Sequence, residues 1–146
     1  MKIIYITGCL GFIASYFTRK ALKMGWRVYG IDKKTYAANV HLLEEFCSYE
    51  NFTFKEVDIK DLNHLYDCDY VVNFAASHVD NSIVSSDEFI NSNILGVKNL
   101  LDLVRAKSPN AGHRPTFLQI STDEVYGDIQ DGAHTERDLL KPSNPY

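Results

Sequence analysis

Within its first fourteen residues the chain leaves a β-branched run and enters a glycine turn. Lys2–Thr7 (KIIYIT) leads directly into Gly8-Cys9-Leu10-Gly11-Phe12-Ile13-Ala14, a G-x-x-G-x-x-A spacing. A strand that ends on such a turn and restarts as a helix has few uses besides a dinucleotide site. The first glycine permits the tight turn, and the second lets backbone approach a pyrophosphate. The third small residue seats the helix close to the strand. The fingerprint tolerates alanine there, as at Ala14. The helix N-terminus then faces the phosphates with unpaired N–H groups and the positive end of its dipole.

A second feature belongs with the first. The strand Arg27–Ile31 runs out at Asp32, 21 residues beyond Gly11. A carboxylate there accepts hydrogen bonds from the adenosine ribose and repels a 2′-phosphate, which favours NAD over NADP. Asp58 stands at the end of another strand-like run. It suits either the adenine amino group or the N-cap of a helical turn at Asp61–Tyr66.

The rest of the chain alternates short β-like runs with longer helical ones. Strands are expected at Thr53–Val57, Tyr70–Phe74 and Thr116–Ile120, beside Lys2–Thr7 and Arg27–Ile31. Helices are expected at Phe12–Met24, Val40–Cys47 and Phe89–Arg105, the last carrying apolar residues at 90, 94, 97, 100, 101 and 104. This alternation predicts an α/β fold with a parallel sheet covered on both faces. After Gly127 the pattern fades into a polar loop, Asp128–Leu140, and then KPSNPY.

Composition sets the outer limits. The 146 residues are one domain's worth, and 45% hydrophobic with 23% charged residues is ordinary for a globular chain. A net charge of −4 argues against a nucleic-acid partner. No apolar run reaches the ~20 residues of a membrane span. The first glycine comes too early for a signal-peptide core. Three cysteines without a CxxC pair read as free thiols of a cytoplasmic protein. Cys9 fills a small-residue slot in this reading, although a helix N-terminus could lower its pKa. The five histidines show no metal spacing, so no metal is expected.

Several segments then carry a resemblance: TGCLGFIAS, IDKKTYAAN, VDI, NFAASHVDNSI, FINSNILGVKNLL, LQISTDEVYGD and KPSNPY, in that order. Together they resemble the extended short-chain dehydrogenases, and among them the nucleotide-sugar 4,6-dehydratases of the dTDP-glucose type. The most specific part is Ser121-Thr122-Asp123-Glu124-Val125-Tyr126-Gly127. The resemblance implies a doubly wound Rossmann sheet of at least five strands in the order 3-2-1-4-5. It implies NAD as cofactor, a nucleotide sugar as substrate, a homodimer, and a smaller sugar-nucleotide domain following the Rossmann domain. It implies a reaction in three steps. NAD takes a hydride from C4 of the sugar, water is lost across C5 and C6, and the hydride returns to C6.

The roles it implies are specific. Tyr146 is the base of the first step, Asp123 the acid for the leaving hydroxyl, Glu124 the base at C5, and Thr122 a hydrogen-bond partner of the C4 hydroxyl. Gly8, Gly11, Phe12, Ile13, Asp32, Lys33, Thr35, Asp58, Ile59, Ala75, Ala76 and Ser92 line the NAD site. Ser77 and His78 lie near substrate and nicotinamide.

The chemistry of adjacent carboxyls agrees. Elimination β to a ketone needs both a base and an acid, and a buried carboxyl beside another carboxylate holds its proton.

Two departures stand out. Ala75-Ala76-Ser77-His78 is one residue shorter than the family pattern, and the sequence ends at Tyr146, before the lysine of the family's Y-x-x-x-K. The expectation is a Rossmann domain cut before its active-site helix. Alone it binds NAD weakly at best and does not dehydrate a sugar nucleotide. A complementing C-terminal polypeptide would restore the family's length, and an apolar patch is expected on the Phe89–Arg105 helix. Two alternatives stay open: a non-catalytic NAD-binding module, or a sister UDP-sugar epimerase or decarboxylase.

Overall fold

In a computed structural model that describes residues 1–77, 87–107 and 114–144, five strands form one parallel sheet. They are β1 (Ile3–Thr7), β2 (Arg27–Asp32), β3 (Phe52–Glu56), β4 (Tyr70–Asn73) and β5 (Thr116–Gln119), ordered β3-β2-β1-β4-β5. Every neighbouring pair is parallel. The strand order reverses at β1, between β2 and β4, and ligands bind at such a switch point in doubly wound sheets.

The pleat of β1 divides the core in two. Ile4 and Ile6 point to one face, where α1 (Phe12–Lys23) and α2 (Leu42–Cys47) contribute Ala14, Leu22 and Phe46. Tyr5 points to the other, against Leu65, Leu100 and Val104, the last two from α3 (Val97–Ala106). Helices on both faces explain why β1 and β4 are buried and mostly apolar, polar only at their last residues Thr7 and Asn73. β3 and β5 are the edges of the sheet, and on β5 Leu118 is 49% exposed.

Two expectations need correction. The turn expected at Asp61–Tyr66 is a 3-10 turn at Ile59–Asp61, and Leu62 is already extended. Tertiary packing decides this. Leu62 and Leu65 are buried in the core, and Asn99 of α3 donates to the carbonyls of Ile59 and Leu62 at 2.8 and 2.7 Å. Among the described residues the long helix is already formed at Asp87, and it is wound as a π-helix over Ile90–Gly96 before α3. Its tight point is Gly96, where a Cβ would sit 2.6 Å from the Ile59 side chain. Apolar spacing reports a mean period of 3.6 and is blind to such a local widening.

This helix leaves Ile90, Ile94 and Leu101 between 44% and 60% exposed. Among the described residues, no helix is long and apolar enough to cross a membrane.

Candidate functional site: the carboxyl edge of the sheet

The glycine loop sits over the end of β1. Gly8 takes φ +66°, and a Cβ on it would lie 2.9 Å from the Ala75 nitrogen. Only glycine has both the backbone freedom and the lack of bulk for that position. The Gly11 N–H donates to the Gly8 carbonyl at 2.9 Å, closing the turn, and the Gly11 carbonyl accepts the Ser15 amide. No side chain caps α1 at Gly11, and no acid lies in its first turn, while Lys20 and Lys23 stand in its last. The positive end of this helix therefore has no internal counter-charge.

Asp32 is tied to that loop. One carboxylate oxygen accepts the Leu10 amide at 3.1 Å, and the other accepts the Lys34 amide at 2.7 Å. Asp32 is 8% exposed. An ionised carboxylate has about four lone-pair sites, so the two bonds leave capacity for a ligand.

Loop and acid face one groove of about 560 Å³. Of the residues expected around NAD, Gly8, Gly11, Asp32, Lys33, Thr35, Asp58, Ile59, Ala75, Ala76 and Ser92 line it. Phe12 and Ile13 do not; they open α1 and are 81% and 64% exposed. Asp58 serves two ends at once. Its Oδ1 accepts the Lys60 amide and caps the 3-10 turn, while its Oδ2 accepts from the Lys33 ammonium at 3.3 Å.

A buried polar row runs under the site. Thr7, Asn73 and Gln119 are in register at the carboxyl ends of β1, β4 and β5. The Thr7 hydroxyl donates to Asn73 Oδ1, and Asn73 Nδ2 donates to Gln119 Oε1 at 2.8 Å. Thr7 and Asn73 are fully buried, so this chain satisfies groups that would otherwise be costly. The Ala75 amide donates to the same Asn73 oxygen at 3.2 Å.

Beyond β4 and β5 the groove continues into a second compartment lined by Ala75, Ala76, Asn93, Gln119, Ser121, Thr122 and Val125. Thr122 caps the 3-10 turn Asp123–Tyr126 by accepting the Glu124 amide at 3.3 Å. The Thr122 hydroxyl donates to Asp123 at 3.2 Å, and Asn144 donates to Glu124 Oε2 at 2.6 Å. Asp123 is exposed and Glu124 half-buried, so the burial expected of the acid is missing among the described residues. Ser77 is buried at the groove's Lys33 side, its amide held by Asn93 Oδ1 at 3.0 Å. His78 and Tyr146 lie outside the described residues.

Four residues around this edge, Asn73, Gln119, Asn93 and Asn144, fall inside the quoted segments but were given no role there; strand register and long-range hydrogen bonds give them one. Cys9 fills the small slot expected of it, its Sγ 2.9 Å from where a Gly30 Cβ would be. Burial, assisted by the Asp32 charge, pushes its thiol well above the usual range, so activation by the α1 N-terminus does not occur. Among the described residues no group of three or more His, Cys, Asp or Glu side chains could hold a metal.

Comparison with known proteins bears on this geometry. A family model described as GDP-mannose 4,6 dehydratase matches residues 5–146. A low-salt glycan biosynthesis protein, Agl12, of Haloferax volcanii is 42% identical over 98% of this chain and 46% of its own length. A dTDP-glucose 4,6-dehydratase of Neisseria meningitidis is 41% identical over 100% of this chain and 45% of its own. The dTDP-glucose 4,6-dehydratase DesIV of Streptomyces venezuelae, solved with NAD and TYD bound, superposes with a TM-score of 0.87 at 35% identity. That match covers 99% of this chain and 47% of the enzyme. The chain thus spans about half the length of the relatives it matches.

Proposed function

The chain belongs to the GDP-mannose 4,6 dehydratase family, and from that premise we propose that it is the NAD-binding part of a nucleotide-sugar 4,6-dehydratase. The observation that carries this reading is the convergence of the glycine loop, Asp32 and Asp58 on one groove. The groove lies at the switch point of the sheet, and the compartment beside it is lined by Ser121, Thr122 and Val125, the residues that flank Asp123-Glu124 in sequence. The family model is named for a GDP sugar, and the Neisseria and Streptomyces relatives for a dTDP sugar. The shared terms are a nucleotide sugar and a 4,6-dehydration. Within that class we favour dTDP-glucose, on the STDEVYG resemblance and the names of the relatives.

The residues present fit the cofactor. Gly8 and Gly11 leave the loop without side-chain bulk where a pyrophosphate would approach, at an uncapped helix end. Asp32 accepts ribose hydroxyls through the lone pairs that Leu10 and Lys34 leave open. Val57, Asp58 and Ile59 flank the adenine. When bound, NAD supplies a hydride acceptor for C4 that later serves as hydride donor to C6.

The chain's own groups handle protons. Thr122 holds the C4 hydroxyl and Tyr146 takes its proton. The ketone at C4 acidifies the C5 hydrogen, which Glu124 removes, and Asp123 protonates the departing C6 hydroxyl. Ser77 and His78 lie beside the substrate. Asn144 fixes the direction of the Glu124 carboxylate through its 2.6 Å hydrogen bond. In the same reading the exposed apolar face that carries Ile90, Ile94 and Leu101 meets a second copy or a further element of the fold. The three free thiols fit a cytoplasmic setting.

The test is ligand-observed NMR with NAD, followed by a 4-keto product assay with dTDP-glucose. The assay is run with and without a polypeptide supplying the family's remaining length. Binding of NAD and product in the completed enzyme are the expected results. Absence of NAD binding both from the chain and from the completed enzyme would remove the reading.

A further inference from the structure

Asp32 is followed by two lysines, and both ammonium groups are turned away from it and occupied. Lys33 Nζ reaches Asp58 Oδ2 at 3.3 Å, Ser92 Oγ at 3.2 Å and Glu88 Oε1 at 3.8 Å. Lys34 Nζ reaches Glu56 Oε2 at 2.6 Å. The partners come from outside the β2 loop: Glu56 and Asp58 from the end of β3, Glu88 and Ser92 from the helix across the groove.

A cation beside the ribose-binding acid is the group that lets a dinucleotide site accept a 2′-phosphate. This chain has two such cations in sequence and engages both with carboxylates in space. From this we propose that Glu56 and Glu88 are cofactor-selecting residues. Glu56 pairs closely with Lys34, and Glu88 adds a second carboxylate to the Asp58–Lys33 pair at the groove wall, so both neutralise positive charge that would otherwise attract a 2′-phosphate and share discrimination against NADP with Asp32. The inference rests on the groove being a dinucleotide site.

Physical chemistry sets its scale. Glu56 and Glu88 are half-exposed, at 58% and 45% of their side chains, so each ion pair is screened by solvent. The gain from releasing one lysine is modest and falls with added salt. Glu56 is the register neighbour of Asp32 on β3, but the bonds that hold Asp32 go to the Leu10 and Lys34 amides, so NAD binding is expected to change little.

The experiment compares NAD and NADP affinity of the chain, by ligand-observed NMR titration at low and high salt. Wild type, Glu88→Gln, Glu56→Gln and the double variant are measured, each with Lys33→Ala as a background. The double variant should bind NADP about 5- to 10-fold more tightly than wild type with NAD affinity within about two-fold. The gain should shrink at high salt and lose its Glu88 share in the Lys33→Ala background. Retained NAD binding with an unchanged NADP affinity overturns this inference alone. An equal gain without Lys33 does the same, because the lysine would not be the group released. Failure of wild type to bind either dinucleotide, alone and with the family's remaining length supplied, overturns the proposed function and this inference with it.

Discussion

The Asp32 carboxylate accepts the backbone amide of Leu10 at 3.1 Å, across the turn that the glycine loop makes. The acid and the loop are thus one unit: Asp32 sets the shape of the surface it shares with the cofactor. Asp32→Ala leaves the buried Leu10 amide and the partly buried Lys34 amide without their acceptor. The expected cost is about 2–3 kcal/mol of stability, read by urea denaturation, together with loss of NAD binding. Asp32→Asn keeps one amide acceptor and should cost less. Equal stability of the Ala variant and wild type would show that Asp32 acts on ligand alone.

Gly8 and Gly25 share the left-handed region, at φ +66° and +73°, but only Gly8 is crowded. A Cβ on Gly25 meets nothing within 4 Å. Gly25→Ala should therefore cost about 1 kcal/mol, the strain of the backbone angle. Gly8→Ala adds a collision with the Ala75 backbone, and a loss of about 3 kcal/mol or more is expected, with displaced Ala75 and Ala76 amide resonances.

Asn73 links Thr7 and Gln119 across three strands. Asn73→Ala strands a buried hydroxyl and a side-chain amide, for an expected loss of about 2–3 kcal/mol in denaturant. Because Asn73 also holds the Ala75 amide, NAD binding should weaken with it. Normal stability in this variant would mean that the row contributes nothing to holding the strand ends together.

The cysteines give a chemical readout. Cys47 is exposed, whereas Cys9 and Cys68 are buried. Burial pushes the Cys68 thiol up to about 11 and that of Cys9 higher still. A thiol reagent should modify Cys47 alone in the native chain, and all three cysteines once it is unfolded. Burial also raises the Tyr5 phenol to about 12. Folded pKa values above the unfolded ones mean that the native state holds these protons more tightly. Their contribution to stability is complete below about pH 9 and is lost as pH rises toward 11 and 12. Denaturation between pH 8 and 12 should show this decline, and Tyr5→Phe should make its upper part shallower.

In a polypeptide that completes the family's length, Asp123→Asn and Glu124→Gln should each lower dehydration by at least about 100-fold. Oxidation at C4, followed through the absorbance of the reduced cofactor, should survive. Equal loss of both steps would reassign the pair to substrate binding.

Much of the fold was legible because it rests on local chemistry. The β-branched run before Gly8, the helical spacing after it and the small residue at Ala14 are consecutive in sequence, and Asp32 follows at a fixed separation at the end of the next strand. Elements were misread where distant residues decide. Leu62 and Leu65 extend because the core takes their side chains and Asn99 takes the carbonyls of Ile59 and Leu62. The helix widens over Ile90–Gly96 on its way past Ile59. Asp58 was open between capping and ligand binding because a motif cannot show that two oxygens face different ways.

By itself the sequence determined a parallel α/β sheet with a glycine loop and an acid at dinucleotide spacing, since each depends on backbone freedom and side-chain period within a short stretch. Tertiary structure alone decided what those residues do to one another. It turned Lys33 and Lys34 toward the acids of β3 and the crossing helix, set Thr7, Asn73 and Gln119 in one row, and brought Asn144 onto Glu124. These contacts join residues 20 to 66 positions apart, and their energies exist only once the sheet has brought the strand ends together.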